Sequence, residues 1–193
     1  ILRDMADALL HRGPDSDGYW YDGSNGVALT HRRLAIVDLS EEGIQPMRSP
    51  SGRYTLVLNG EIYNHIELRQ LLEASLGGTT KWRGHSDTES LLAFIEHWGL
   101  SKTLNLSKGM FAFALWDSRQ STMTLVRDRF GEKPLYYGWQ RFQGDKTFIF
   151  GSELSALKQH PSFENRIDRE ALSEFVQFKN VPSTRSIYEG ISK

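Results

Sequence analysis

Five clusters in this sequence combine Gly, Asn, Asp and Arg in ways a plain core does not need. Arg33 follows Arg32 in a strand-like run, so one of the two must face inward. A guanidinium held half-buried generally meets a carboxylate or phosphate; the plainer alternative is an ion pair with one of the chain's own acids. Asn59 and Gly60 follow a second strand-like run. An amide NH₂ beside a glycine N–H could form a two-donor oxyanion hole, with glycine letting a substrate come close to the backbone. The competing reading is an Asn-Gly hairpin turn, although the Ile-Tyr-Asn-His after Glu61 gives no second hairpin strand. Asp87 sits in the first turn of a helical pattern, where the helix dipole alone favours an acid; as a site residue it would receive an ammonium group. HRGPD at 11–15 also reads as a helix stop, and RDRFGEKPLYY at 127–137 as ion-pair scaffolding beneath a site or as a direct contact to it.

Several common chemistries leave no trace. Neither the phosphate loop GxxxxGK[ST] nor GxGxxG occurs, and the GxSxG elbow is missing. The six histidines show no HxxxH or HxH pairing, so no compact metal site is expected. Without cysteine there is no disulfide and no thiolate zinc site.

The elements that must position the clusters can be read from periodicity. Strand-like runs lie at 26–34, 53–58, 111–116, 122–126, 135–139 and 147–150, rich in Val, Tyr, Phe, Trp and Thr. Helical patterns cover 65–76, 87–98, 154–159 and 169–179, and residues 1–10 read as the later turns of a further helix. Ser86 and Glu89 fit a capping box in which Glu89 reaches back to Ser86, and Asp168 offers a second N-cap. Strands in runs and helices in pairs favour α+β with antiparallel sheets over a doubly wound fold. One domain is the simplest account.

Of the 193 residues, 39% are hydrophobic and 24% charged, and the formal net charge is -1. This composition is globular, and it lacks the basic excess of a dedicated nucleic-acid binder. No apolar run approaches the roughly 20 residues of a membrane span, and the charges within 1–10 argue against a signal peptide. A cytoplasmic protein contacting neither nucleic acid nor membrane is expected.

Taken in order, HRGPD (11–15), HRRLAIVDLS (31–40), QPM (45–47), NGEIYNH (59–65), SDTE (86–89), GMFAFALWD (109–117), RDRFGEKPLYY (127–137) and GSEL (151–154) cover nearly the whole chain. Together they resemble the glutaminase domain of glutamine-hydrolysing asparagine synthetases. The resemblance implies an N-terminal-nucleophile fold, a four-layer αββα sandwich of two antiparallel sheets. It implies a single type 2 glutamine amidotransferase domain over 1–193, lacking its extreme N-terminus. There an N-terminal cysteine, absent from these residues, would attack the side-chain amide of L-glutamine, with its own α-amino group as base. By position, Arg33 would bind the α-carboxylate, and Leu34 and Val37 would line the pocket. Asn59 and Gly60 would form the oxyanion hole, Glu61 would contact substrate, and Asp87 would hold the α-ammonium. Together these describe a pocket for a zwitterionic amino acid. No metal or cofactor is expected in this domain; ATP and Mg belong to a C-terminal synthetase domain that amidates aspartate. L-glutamine and that domain are the expected partners, with a homodimer left open. The alternatives are a vestigial non-catalytic domain, as in relatives resembling β-lactam synthetase, and ammonia delivered to a different carboxylate.

Overall fold

The computed structural model describes residues 1–181 and 184–193. In chain order its main elements are α1 (Leu2–Asp7), β1 (Ser16–Asp22), β2 (Val27–Arg33), β3 (Met47–Arg48) and β4 (Tyr54–Ile62). Then come α2 (His65–Leu76), α3 (Asp87–Trp98), α4 (Leu100–Leu106), β5 (Gly109–Asp117) and β6 (Thr122–Arg127). The last are β7 (Tyr136–Phe142), β8 (Asp145–Gly151), α5 (Leu154–Leu157), α6 (Arg169–Phe178) and β9 (Ile191–Ser192). The class is α+β, and every strand pair is antiparallel. The chain divides into two compact units, residues 12–133 and residues 1–11 with 134–193.

The first unit holds a four-stranded sheet in the order β3-β4-β5-β6 and a hairpin, β1-β2. Strand alternation gives β4 one apolar face, with Leu56, Leu58 and Ile62 directed to the core. Phe111, Phe113 and Leu115 extend that face on β5, and Leu91, Leu92 and Ile95 of α3 cover it. Each such side chain contributes about 1.5–3 kcal/mol through burial. α2 packs on α3 through Leu68, Leu72 and Phe94, with Trp82 and Trp98 at the margin. Helix α2 stops at Gly77, which takes the left-handed conformation favoured there. The hairpin turns at 23–26, where Asp22 accepts from the backbone N–H and side-chain amide of Asn25.

In the second unit the sheet runs β8-β7-β9. Ile149, Leu157 and Ile191 form its core, flanked by Tyr136, Leu154, Phe163 and Tyr188. Asp168 caps α6 by accepting the N–H groups of Glu170 and Ala171.

Strands β1, β3 and β9 and helix α4 have no counterpart among the sequence expectations. β1 opens Ser-Asp-Gly, which reads as a turn, and becomes a strand because β2 pairs with it along its whole length, from Ser16↔Arg33 to Asp22↔Val27.

Candidate active site

Strand β4 runs four residues past the expected end at 58, so Asn59-Gly60 is strand rather than hairpin turn, opposite Ala112 and Phe111 of β5. The cause lies in two glycines. Gly60 has φ 144°, a conformation open to glycine, and a Cβ there would strike the Met110 carbonyl and lie 2.6 Å from Phe111 Cα. Gly109 faces the Glu61 carbonyl with equal closeness. The two strands thereby pair tightly through the segment that a Cβ would force apart.

Pairing parity then assigns the backbone groups. The Phe111 carbonyl accepts the N–H of Asp128, and the Phe111 N–H donates to the Asp128 carboxylate, so Phe111 bonds toward β6. Its partner Gly60 therefore turns its N–H and C=O away from β5. Leu58 and Ile62 have the same parity, and both of their N–H groups are capped by side chains. Gln45 Oε1 accepts from Leu58 at 2.6 Å, and Asp87 Oδ2 accepts from Ile62 at 2.8 Å. The Gly60 N–H lies between these two caps on the edge left open beyond β3. Asn59 and Glu61 place their side chains on the face opposite the α3 core. His31 Nε2 lies 3.1 Å from the Leu58 carbonyl and donates to it when the ring is neutral. Burial pushes the His31 pKa down to about 4, aided by the Arg33 charge and opposed by the bond to Leu58.

Arg33 ends β2 and is buried, pointing inward with Leu29. Its Nη1 donates to the Ser40 carbonyl at 2.8 Å, and its Nη2 donates to the Asp38 carbonyl. Gly43 packs against the guanidinium, 2.9 Å from Cζ to a Cβ built on that glycine. Two of the five guanidinium N–H donors are used in shaping the loop after β2. Leu34 and Val37 lie on this loop and are 54% and 39% exposed. Asp38 is buried; Oδ1 accepts from Ser40 N–H and O–H at 2.8 and 2.6 Å, and Oδ2 accepts from His85 N–H at 2.8 Å. Burial pushes its carboxyl up, but these three bonds and the Arg33 charge outweigh it and hold the pKa at about 2.

Asp87 is the first residue of α3 and 5% exposed. Burial raises its carboxyl, against the pull of the Ile62 N–H and of nearby His65. The expected capping box is not formed. Ser86 accepts from Thr88 N–H, while Glu89 reaches to the N–H groups of Arg83 and Gly84, at 2.9 and 3.1 Å. The reason is Arg69 on α2, whose guanidinium donates to the carbonyls of Gly84 and Ser86 and to Ser90 Oγ, and draws Glu89 to 3.5 Å. Trp82 closes over its face at 3.9 Å.

Three hydrogen bonds joined by two-residue steps of backbone connect Arg33, Asp87 and Gly60 among the expected residues: Arg33 to Asp38, Asp38 to His85, and Asp87 to Ile62. All belong to the unit 12–133. Asp38, Gln45, Arg69 and His31 were not among the expected site residues. A signal existed for Arg69, a cation on the inner stripe 65, 68, 69, 72 of α2. Among the described residues, no group of three or more His, Cys, Asp or Glu could hold a metal ion, and no helix is long and apolar enough to cross a membrane.

The open Gly60 N–H beside Asn59, the buried Arg33 and the buried Asp87 thus all lie in one compact unit. The family model of the glutamine amidotransferase domain matches residues 1–193. The chain belongs to that family. It is 38% identical over 193 residues to asparagine synthetase (glutamine-hydrolyzing) 1 of Bacillus subtilis (strain 168), matching 100% of this chain and 29% of the relative. A third asparagine synthetase of that organism is 38% identical over 198 residues, with 98% of this chain and 30% of the relative matched. Amidase chry2 of Gibberella zeae is 40% identical over 136 residues, covering 70% of the amidotransferase chain and 20% of its own length. The chain therefore spans under a third of the length of these relatives.

Proposed function

We propose that this domain hydrolyses L-glutamine to glutamate and ammonia for an asparagine-synthetase-type ligase. The observation that carries the reading is the Gly60 N–H, held on an open strand edge between two capped neighbours and next to Asn59. There the Gly60 N–H and the Asn59 amide receive the oxyanion that forms when a nucleophile adds to the glutamine amide carbon. Arg33 takes the α-carboxylate with donors not used on the loop, and Asp87 takes the α-ammonium. Glu61 contacts the substrate from the Asn59 face, and the backbone at Leu34 and Val37 lines the carboxylate end. The nucleophile is the family's N-terminal cysteine thiolate; no cysteine is among these residues. The tetrahedral adduct expels ammonia to leave a thioester, which water opens to glutamate.

Aspartate is the proposed acceptor, activated by ATP and Mg in a synthetase domain beyond these residues. The identities to glutamine-hydrolyzing asparagine synthetases support this choice over another carboxylate. The four-layer sandwich, the single type 2 domain and a cytoplasmic setting belong to the same reading. In the full-length protein, Asn59→Ala lowers glutamine-dependent turnover by about 10² to 10³, the usual effect of one oxyanion donor. Full turnover by Asn59→Ala would refute the oxyanion assignment, and a native protein that neither binds nor hydrolyses glutamine would refute the function, leaving a vestigial domain.

A further inference from the structure

We infer that Asp38 is a positioning residue that holds the receptor for an α-carboxylate and the receptor for an α-ammonium at one fixed separation. The inference rests on the glutamine reading of the site. Arg33 and Asp87 come from different elements, the end of β2 and the start of α3, 54 residues apart in the sequence. Nothing local fixes their spacing. Asp38 touches both sides. Its carbonyl accepts from Arg33 Nη2, and its Oδ2 accepts the His85 N–H, two residues before Asp87. Its Oδ1 is closed by Ser40, whose own carbonyl accepts from Arg33 Nη1. Gly84 adds a steric reason, since a Cβ there would lie 2.6 Å from Asp38 Oδ2. The carboxylate is buried and accepts three hydrogen bonds, so its place is over-determined.

A strut of this kind has a signature that general stabilisation lacks. If one group sets both receptors, loosening it weakens recognition of both ends of the ligand together. Asp38→Asn fills the same volume but turns one acceptor into a donor, so either the Ser40 bonds or the His85 bond is lost. The probes are L-glutamine, glutaramate, which lacks the ammonium, and 4-aminobutanamide, which lacks the carboxylate. Calorimetry on the full-length protein should show each analogue binding at least about 10-fold more weakly than glutamine, the scale of one charge-assisted hydrogen bond. In Asp38→Asn, glutamine binding should fall about 10-fold, and both analogue ratios should shrink together toward one. Ratios that stay unchanged, or a change in the carboxylate ratio alone, would overturn the inference while leaving the glutamine reading standing. A native protein that prefers glutamine over neither analogue would overturn that reading and the inference with it. A second measurement needs no variant. Glutaramate, whose carboxylate engages Arg33 but which has no ammonium for Asp87, should slow hydrogen exchange at the His85 amide of the native protein, and unchanged exchange would sink the strut.

Discussion

Protonation of one ring in β2 gives the most direct residue-scale test. His31 keeps a pKa of about 4 when folded against an ordinary value of 6.5. Below pH 6.5 the unfolded chain takes the proton that the folded chain refuses, so stability is full above pH 6.5 and falls toward pH 4. Two and a half units correspond to roughly 3 kcal/mol. Urea midpoints at pH 7.5 and 4.5 should therefore differ in the native chain, and less in His31→Gln, whose amide still donates to the Leu58 carbonyl without titrating. Asp38 acts at lower pH with the same sign: its contribution of roughly 2 kcal/mol is present above pH 4 and lost toward pH 2. The residues proposed to touch glutamine stand out in the sequence because their chemistry is unusual: an arginine in a strand, an Asn-Gly without a second strand. Those that brace them do not. Asp38 meets His85 across 47 residues and Gln45 reaches β4 to cap Leu58, and no local pattern announces such pairings.

Among the elements, α2 and β4 carry the consequences. Arg69 binds the Gly84 and Ser86 carbonyls and Glu89 from the inner face of α2, so Arg69→Met should detach the start of α3 from α2. Removing one member of a buried charge network costs about 3–5 kcal/mol; the Arg83 contact to Glu89 tempers this, so the lower end is expected in the urea midpoint. Glutamine affinity should fall in parallel because Asp87 heads that helix. On β4, Gly60→Ala forces a Cβ against the Met110 carbonyl in a φ region closed to alanine, at a cost of about 1–3 kcal/mol for the backbone alone. Helices α2 and α3 were legible because they repeat their apolar residues at the helical period and Ser86 caps α3; α4 was not. The length of β4 was not, since glycine and asparagine inside a strand look like its end until the partner strand is known.

At the level of the whole molecule, the chain is under a third of its asparagine synthetase relatives; on the proposed function, glutamine hydrolysis and synthesis can be assayed separately. In the full-length protein Arg33→Ala should raise the KM for glutamine and leave synthesis from free ammonia intact; loss of both would mean a folding defect. The 193 residues alone, lacking a cysteine, should release no ammonia above background. The α+β class was legible from the succession of strands and helices, and the motifs from HRGPD to GSEL carried the resemblance that the family match bears out. The two compact units were not legible, because the second is assembled from both ends of the sequence.

The side-chain caps on β4 also have a colloidal consequence. Beyond β3, the outer border of this strand would be a template for pairing with another chain, and Gln45 and Asp87 occupy it at alternate positions. Between these caps only Gly60 is left, too short a stretch to nucleate a foreign strand. Gln45→Ala should therefore scatter more light with rising concentration than the native chain, an excess that saturating glutamine should reduce.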